Sequence, residues 1–135
     1  MTKGLIAGCF DLLHPGYIRL LAAAKEKCDY LVIALQDDPS IDRPKTKKKP
    51  IFTVEERQEI LLAIRFVDKV RTYQTEEELA QIIVEERPDL RFLGSDYLRP
   101  DQHITGKGLA PIAYIMRNHK WSMTRLIKLI CERGV

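Results

Sequence analysis

The chain has 135 residues, 45% of them hydrophobic and 30% charged, with a formal net charge of +3. That length accommodates one domain with a buried core, and the mild positive balance suits a protein that handles small anions; nucleic-acid binders carry a stronger basic bias. Three widely spaced cysteines fit neither a disulfide framework nor a zinc site and suit a reducing cytoplasm, and no apolar run reaches the length of a membrane span.

The apolar run Leu5-Ile6-Ala7 predicts a buried first strand over 3–8. Together with Gly8-Cys9 it has the outline of a lipoprotein cleavage box, but the apolar stretch before Cys9 is too short for a signal-peptide core, so no lipid anchor is expected. Downstream, Ile18, Leu20, Leu21 and Ala24 recur at helical spacing with Arg19, Lys25 and Glu26 on the other side, which predicts a helix over 15–27. The segment between is a strand-to-helix turn. Pro15 is tolerated in a first helical turn, and Gly16 lets a backbone come close to a ligand. Unpaired N–H groups and the positive end of the helix dipole make this turn a natural phosphate site, with His14 at its lip. Asp11 suits either of two jobs, bonding backbone N–H groups or touching a metal-bound water.

Residues 29–35 form a compact apolar run with β-branched side chains, a second buried strand, followed by a polar loop over 36–50 rich in proline and lysine. Thr53-Val54-Glu55-Glu56 is a capping-box pattern opening a helix with Ile60, Leu61, Ile64 and Val67 on its apolar face. A short strand over 69–72 precedes a second capping-box pattern, Thr75-Glu76-Glu77-Glu78, and a helix through Glu86 with Leu79, Ile82 and Ile83 inward; Pro88 stops it. A fourth strand over 90–93 leads into a long loop over 94–110, a length that is often functional. A fifth strand over 112–116 follows, and Ser122 caps a last helix with Leu126, Ile127 and Ile130 on one face.

This alternation predicts an α/β, Rossmann-like three-layer sandwich: a five-stranded parallel sheet with helices on both faces, in one domain over 1–135. Ligands bind such sheets at the carboxyl ends of the strands. The opening turn, the 36–50 loop, the 94–110 loop and the 117–124 turn all lie there.

The segment Gly8-Cys9-Phe10-Asp11-Leu12-Leu13-His14-Pro15-Gly16-Tyr17 resembles the first signature of the cytidylyltransferase-like nucleotidyltransferases, and is most similar to the glycerol-3-phosphate cytidylyltransferase type. The family motif is H-x-G-H; here Tyr17 replaces the second histidine. Arg117-Asn118-His119-Lys120-Trp121-Ser122-Met123-Thr124 resembles the second signature, with Met123 in place of a hydroxyl residue. The resemblance implies transfer of a nucleotidyl group from CTP to a small phosphorylated alcohol, with Mg²⁺ on the phosphates, by a cytoplasmic homodimer that binds neither nucleic acid nor membrane. Gly8-Cys9-Phe10-Asp11 and Gly94-Ser95-Asp96-Tyr97 also resemble the heptose-phosphate adenylyltransferases, which implies ATP and a sugar phosphate as the alternative.

Carried over residue by residue, the resemblance implies that His14, Lys48 and Arg117 serve catalysis. It implies a nucleotide site of Gly8, Cys9, Phe10, Asp11, His14, Gly16, Tyr17, Lys47, Gly94, Asp96, Arg117, Ser122 and Thr124, with Asp11 also at the metal. Asp38, Arg57 and Arg65 are expected at the acceptor, where arginine's forked donors suit a phosphate. Lys45-Thr46-Lys47-Lys48-Lys49 resembles the family's K-x-K-K segment; read alone it is a solvated loop. A phenol at position 17 donates one hydrogen bond and carries no positive charge. Tyr17 therefore substitutes weakly, is compensated by another cation such as a loop lysine, leaves a nucleotide binder without turnover, or simply packs on its helix. His119 and Trp121 read as turn and core residues. Thr105-Gly106-Lys107-Gly108 lacks the full phosphate-loop pattern. A basic nucleic-acid-binding module, resting on the lysine run alone, would show steep salt dependence.

Overall fold

A computed structural model describes residues 1–134; Val135, the last residue of the expected domain, lies outside the described residues. Strands β1 (Lys3–Gly8), β2 (Tyr30–Gln36), β3 (Lys69–Tyr73), β4 (Leu90–Gly94) and β5 (Ile112–Ile115) form one sheet in the order β3-β2-β1-β4-β5. Every pairing is parallel; Leu5 faces Val32, Ile33 faces Val70, and Phe92 faces Ala113. The five-stranded Rossmann-like α/β fold is thus the one expected.

Both faces of the sheet are covered, which is why its central strands read as unbroken apolar runs. Helices α1 (Pro15–Glu26) and α3 (Val54–Leu62) lie on one face, where Ile6, Leu21, Ile33, Leu61 and Phe92 share a core. Helix α4 (Glu76–Glu86) lies on the other, with Leu5, Val32, Ala34, Leu79, Ile82 and Ile83. Adjacent strand residues such as Leu5 and Ile6 enter opposite cores because side chains alternate across a strand. The chain builds outward from β1 to β3, then returns on the far side of β1 to form β4 and β5. The switch in strand order therefore falls between β1 and β4, and a crevice opens at their carboxyl ends.

Several boundaries differ from the sequence reading for local reasons. Within the 36–50 loop, Asp38 accepts the Ser40 N–H and Pro39 follows at the first helical position, so a short α2 (Pro39–Asp42) forms. Helix α3 stops at Leu62, before Ile64 and Val67, which reach the core from the following turn. Thr53 makes a complete capping box with Glu56, whereas Thr75 accepts the Glu78 N–H but Glu78 bonds the Gln74 N–H instead of the cap residue's. Helix α5 (Met123–Glu132), capped by Ser122, closes the described chain. Among the described residues no helix is long and apolar enough to cross a membrane.

Candidate active site

The turn between β1 and α1 is held from below. Phe10 adopts a left-handed φ of 48°, a conformation that costs a non-glycine residue energy, and its buried ring anchors it. Asp11, also buried, accepts the Ile51 N–H at 2.8 Å and the Phe52 N–H at 3.0 Å, one with each carboxylate oxygen. The turn thereby fastens the far end of the lysine loop.

His14 caps α1: its Nδ1 accepts the Gly16 N–H at 3.1 Å. Burial, then the charges of His119 and Arg117, lower its pKa from the ordinary histidine range, so the imidazole is neutral near pH 7. With Nδ1 accepting, the proton sits on Nε2, which has no partner among the described residues. Beneath it Tyr17 stacks on the His14 ring, centroids 4.3 Å apart and 22° between planes, and leans on Phe10 at 5.2 Å. Burial, then Cys9 and Asp11, push the Tyr17 phenol up to about 12. The tyrosine is a neutral platform that fixes the plane of His14.

On the β2 side, Arg57 reaches back from α3 into the interior and is 1% exposed. Its Nε donates to the Phe52 carbonyl at 3.1 Å, its Nη1 to the carbonyls of Gln36 at 2.6 Å and Cys9 at 2.9 Å, and its Nη2 to the Asp37 carbonyl. Arg57, expected at the acceptor's phosphate, is instead the strut that ties together the ends of β1, β2 and α3. Arg65 departs from expectation in another way. It follows the far end of α3, three residues before Asp68, whose N–H bonds the Leu31 carbonyl near the amino end of β2. That is the end of the sheet opposite to His14, and the Arg65 guanidinium lies over the Phe66 ring, 5.0 Å from its centroid.

A cavity of about 410 Å³ lies beside Arg57, lined by Asp37, Asp38, Lys49, Phe52 and Glu55 among others. Asp38 is at its edge, but one carboxylate oxygen is engaged by the Ser40 N–H and hydroxyl. All five residues of the 45–49 run are exposed. Burial raises the Cys9 thiol pKa, and the charges of Arg57 and Lys47 are among those opposing the rise. Lys49, which the sequence did not single out, lines the cavity.

On the β5 side, Arg117 joins the two downstream motifs. Its N–H bonds Ser95 Oγ at 3.0 Å, its Nη1 pairs with Asp96 at 3.2 Å, and its Nη2 donates to the Trp121 carbonyl. Gly94 turns the chain out of β4 with open space around it. Ser122 Oγ accepts the Arg125 N–H, so its hydroxyl serves the cap, and Thr124 is exposed in the first turn of α5. Met123 Sδ accepts the Leu12 N–H at 3.3 Å, linking the second signature to the first where a hydroxyl would otherwise stand. His119, read from the sequence as a turn residue, does hold its turn, its Nδ1 accepting the Trp121 N–H at 3.1 Å, but it also lies against the opening turn. Gly16 has no side chain, and a Cβ there would meet His119 Cε1 at 2.5 Å. The pairing of two residues so distant in sequence leaves no local signal.

Gly8, Cys9, Phe10, Asp11, His14, Gly16, Tyr17, Gly94, Asp96, Arg117, Ser122 and Thr124 thus gather around the carboxyl end of the sheet, whereas the Arg57 guanidinium is taken up by main-chain carbonyls and Arg65 follows the other end of α3. Both oxygens of Asp11 hold backbone N–H groups, and among the described residues no group of three or more His, Cys, Asp or Glu side chains could hold a metal ion.

A family model described as cytidylyltransferase-like matches residues 5–128. The chain is 44% identical over 104 residues to the bifunctional protein HldE of Gluconacetobacter diazotrophicus, covering 76% of this chain and 21% of that protein. It is 41% identical over 99 residues to HldE of Bradyrhizobium sp., covering 73% and 20%. The chain therefore spans about a fifth of the length of these curated relatives. Among solved structures, the lipopolysaccharide core biosynthesis protein of Thermoplasma volcanium superposes with a TM-score of 0.68 at 25% identity, over 90% of this chain and 99% of that one. A pantothenate synthetase of Thermus thermophilus shares the fold, with a TM-score of 0.59 at 11% identity over 99% of this chain and 71% of that one.

Proposed function

The chain belongs to the cytidylyltransferase-like family of nucleotidyltransferases, and on that premise we propose that 1–135 is one nucleotidyltransferase domain joining a nucleoside triphosphate to a phosphorylated sugar. An oxygen of the acceptor's phosphate attacks the α-phosphorus. The new P–O bond forms as the bond to the bridging oxygen of the β-phosphate breaks, and that electron pair leaves with pyrophosphate. Catalysis of this kind rests on positioning and on neutralising developing charge.

The observation that carries the reading is His14. Its Nδ1 is held by the Gly16 N–H at the start of α1, so a neutral Nε2–H is free beside Arg117 and a helix N-terminus. The phosphate chain lies over that N-terminus. His14 donates to it, Lys47 and Arg117 supply charge, and Gly8, Cys9, Gly94 and Asp96 shape the nucleotide's bed. The acceptor enters by the cavity at Lys49 and Asp38. The substrates are small molecules, and the reading includes a cytoplasmic homodimer, as the family resemblance implies.

ATP with a sugar phosphate is the preferred pair. It follows the resemblance to heptose-phosphate adenylyltransferases, the identity to HldE proteins and the likeness to a lipopolysaccharide core biosynthesis protein. CTP with glycerol 3-phosphate is the second reading. The family's cytidylyltransferase character favours it, and the placement of Arg57 and Arg65 away from a common site counts against it. The test is pyrophosphate release from the magnesium salts of ATP and CTP over a panel of phosphorylated sugars and alcohols. Turnover is expected with ATP and a sugar phosphate. Turnover confined to CTP and glycerol 3-phosphate establishes the second reading instead, and nucleotide binding without turnover marks a pseudoenzyme.

A further inference from the structure

We propose that His119 donates the second imidazole hydrogen bond to the nucleotide's phosphates, the contact that Tyr17 does not supply at its own position. This rests on the nucleotidyltransferase reading above and assigns it a residue that neither signature match requires.

The observations are geometric. The bare Cα of Gly16 marks a point where a Cβ would stand 2.5 Å from His119 Cε1 and 2.8 Å from His14 Cε1. The two Cε1 atoms are therefore no farther apart than the sum of those distances. Each ring is locked in the same sense by a main-chain N–H two residues away. His14 Nδ1 accepts from Gly16 at 3.1 Å, and His119 Nδ1 accepts from Trp121 at 3.1 Å. With Nδ1 accepting, each ring presents its N–H at Nε2, the atom next to Cε1, and neither Nε2 has an intramolecular partner among the described residues. Two N–H donors thus stand side by side at the N-terminus of α1, where anionic oxygen is favoured. Trp121, with its ring 6.3 Å from that of His14 and 19° from parallel, holds the second histidine's turn against the first.

Tyr17 cannot fill this role while it stacks flat against His14 with its phenol half-buried. Gly16 then has a specific purpose in this chain: any side chain there would expel His119. In the transfer step His119 Nε2–H donates to a non-bridging phosphate oxygen, which accumulates charge as pyrophosphate departs; the proton stays on nitrogen. Such a donor is already oriented before the reaction begins.

The test separates the two ends of the ring. His119→Asn keeps an acceptor for the Trp121 N–H and loses the distal donor. His119→Gln places an amide N–H near the position of Nε2. With the full chain and its preferred substrates, His119→Asn is expected to lower kcat by ~10²-fold with an unchanged melting temperature, and His119→Gln to stay within about tenfold of the parent. In direct titrations, His119→Asn weakens binding of the nucleoside triphosphate and leaves binding of the bare nucleoside unchanged. Equal behaviour of parent and His119→Asn in an active or nucleotide-binding chain overturns this inference alone. So does the reverse order, with Asn active and Gln inactive, because it marks a purely structural cap. A parent chain that neither binds nor turns over any nucleoside triphosphate overturns the functional reading itself, and this inference with it.

Discussion

Asp11 illustrates how one side chain's role is decided by what its atoms already hold. A carboxylate next to a phosphate-binding turn reads equally as a metal contact and as a main-chain clamp. With one oxygen on the Ile51 N–H and the other on the Phe52 N–H, it clamps. Asp11→Asn keeps one acceptor and leaves a part-buried N–H unpaired, which costs about 1–3 kcal/mol. Denaturant unfolding measures that loss, while the magnesium concentration giving half-maximal turnover stays where it was. A large rise in that concentration would return Asp11 to the metal. His14 was legible from its neighbours in sequence, because Asp11, Gly16 and the start of the helix are all local. Arg57 was not. In sequence it is one more charged residue on an amphipathic helix, and burial, the property that defines it, depends on which way that helix rolls.

At the scale of elements, α3 is fixed by its start more than by its apolar face. The Thr53–Glu56 capping box closes both ends of the first turn, and Arg57 one step later bonds carbonyls from four residues in three segments. This is why α3 ends at Leu62 although its apolar periodicity runs on to Val67. Its position is anchored at the site, and Ile64 and Val67 are buried equally well from a turn. Removing the guanidinium leaves the buried Gln36 carbonyl and three part-buried carbonyls without this donor, each costing on the order of 1 kcal/mol. Arg57→Ala is therefore expected to destabilise the fold by about 3 kcal/mol in urea titrations. Arg57→Lys should recover only part of that, since a lysine lacks the planar fork. An unfolding midpoint unchanged by Arg57→Ala would remove the strut from the account. The capping signals themselves were readable because they act within four residues; the short α2 was missed because its Asp38-Pro39 start lies inside a stretch that composition marks as loop.

The whole molecule divides its charges between its two ends. At the carboxyl ends of the strands, Lys49 lines the cavity beside Arg57 and Arg117 joins the two downstream motifs. At the amino ends, Glu86 is 7% exposed and holds Lys3 at 3.3 Å, Lys69 at 2.8 Å and Arg71 at 3.2 Å, binding the end of α4 to β1 and β3. Burial alone would raise its pKa, but the hydrogen bonds from Lys69, Lys3 and Arg71 outweigh burial and hold it below the ordinary glutamate value. The folded state thus binds fewer protons than the unfolded one as pH falls through the carboxylate range. Stability from Glu86 is complete above about pH 4.5 and is lost as pH drops through its lowered folded value. Glu86→Gln should cost about 2 kcal/mol at pH 7, and its gap from the parent should close as the pH is taken below 4. A gap that persists in acid would mean that Glu86 acts through packing and not through charge.

By itself the sequence determined the alternation of strands and helices, the parallel sheet, the capped helix starts and the strand-to-helix turn at His14. All of these follow from periodicity and from contacts within a few residues, which a linear chain displays directly. Only the tertiary structure decided which charges are struts and which face the crevice, that Met123 bonds the opening turn, and that His119 lies over Gly16. Those outcomes depend on side chains brought together across the switch between β1 and β4. Their energies come from burial and from donors meeting acceptors, and neither exists until the sheet has closed that crevice.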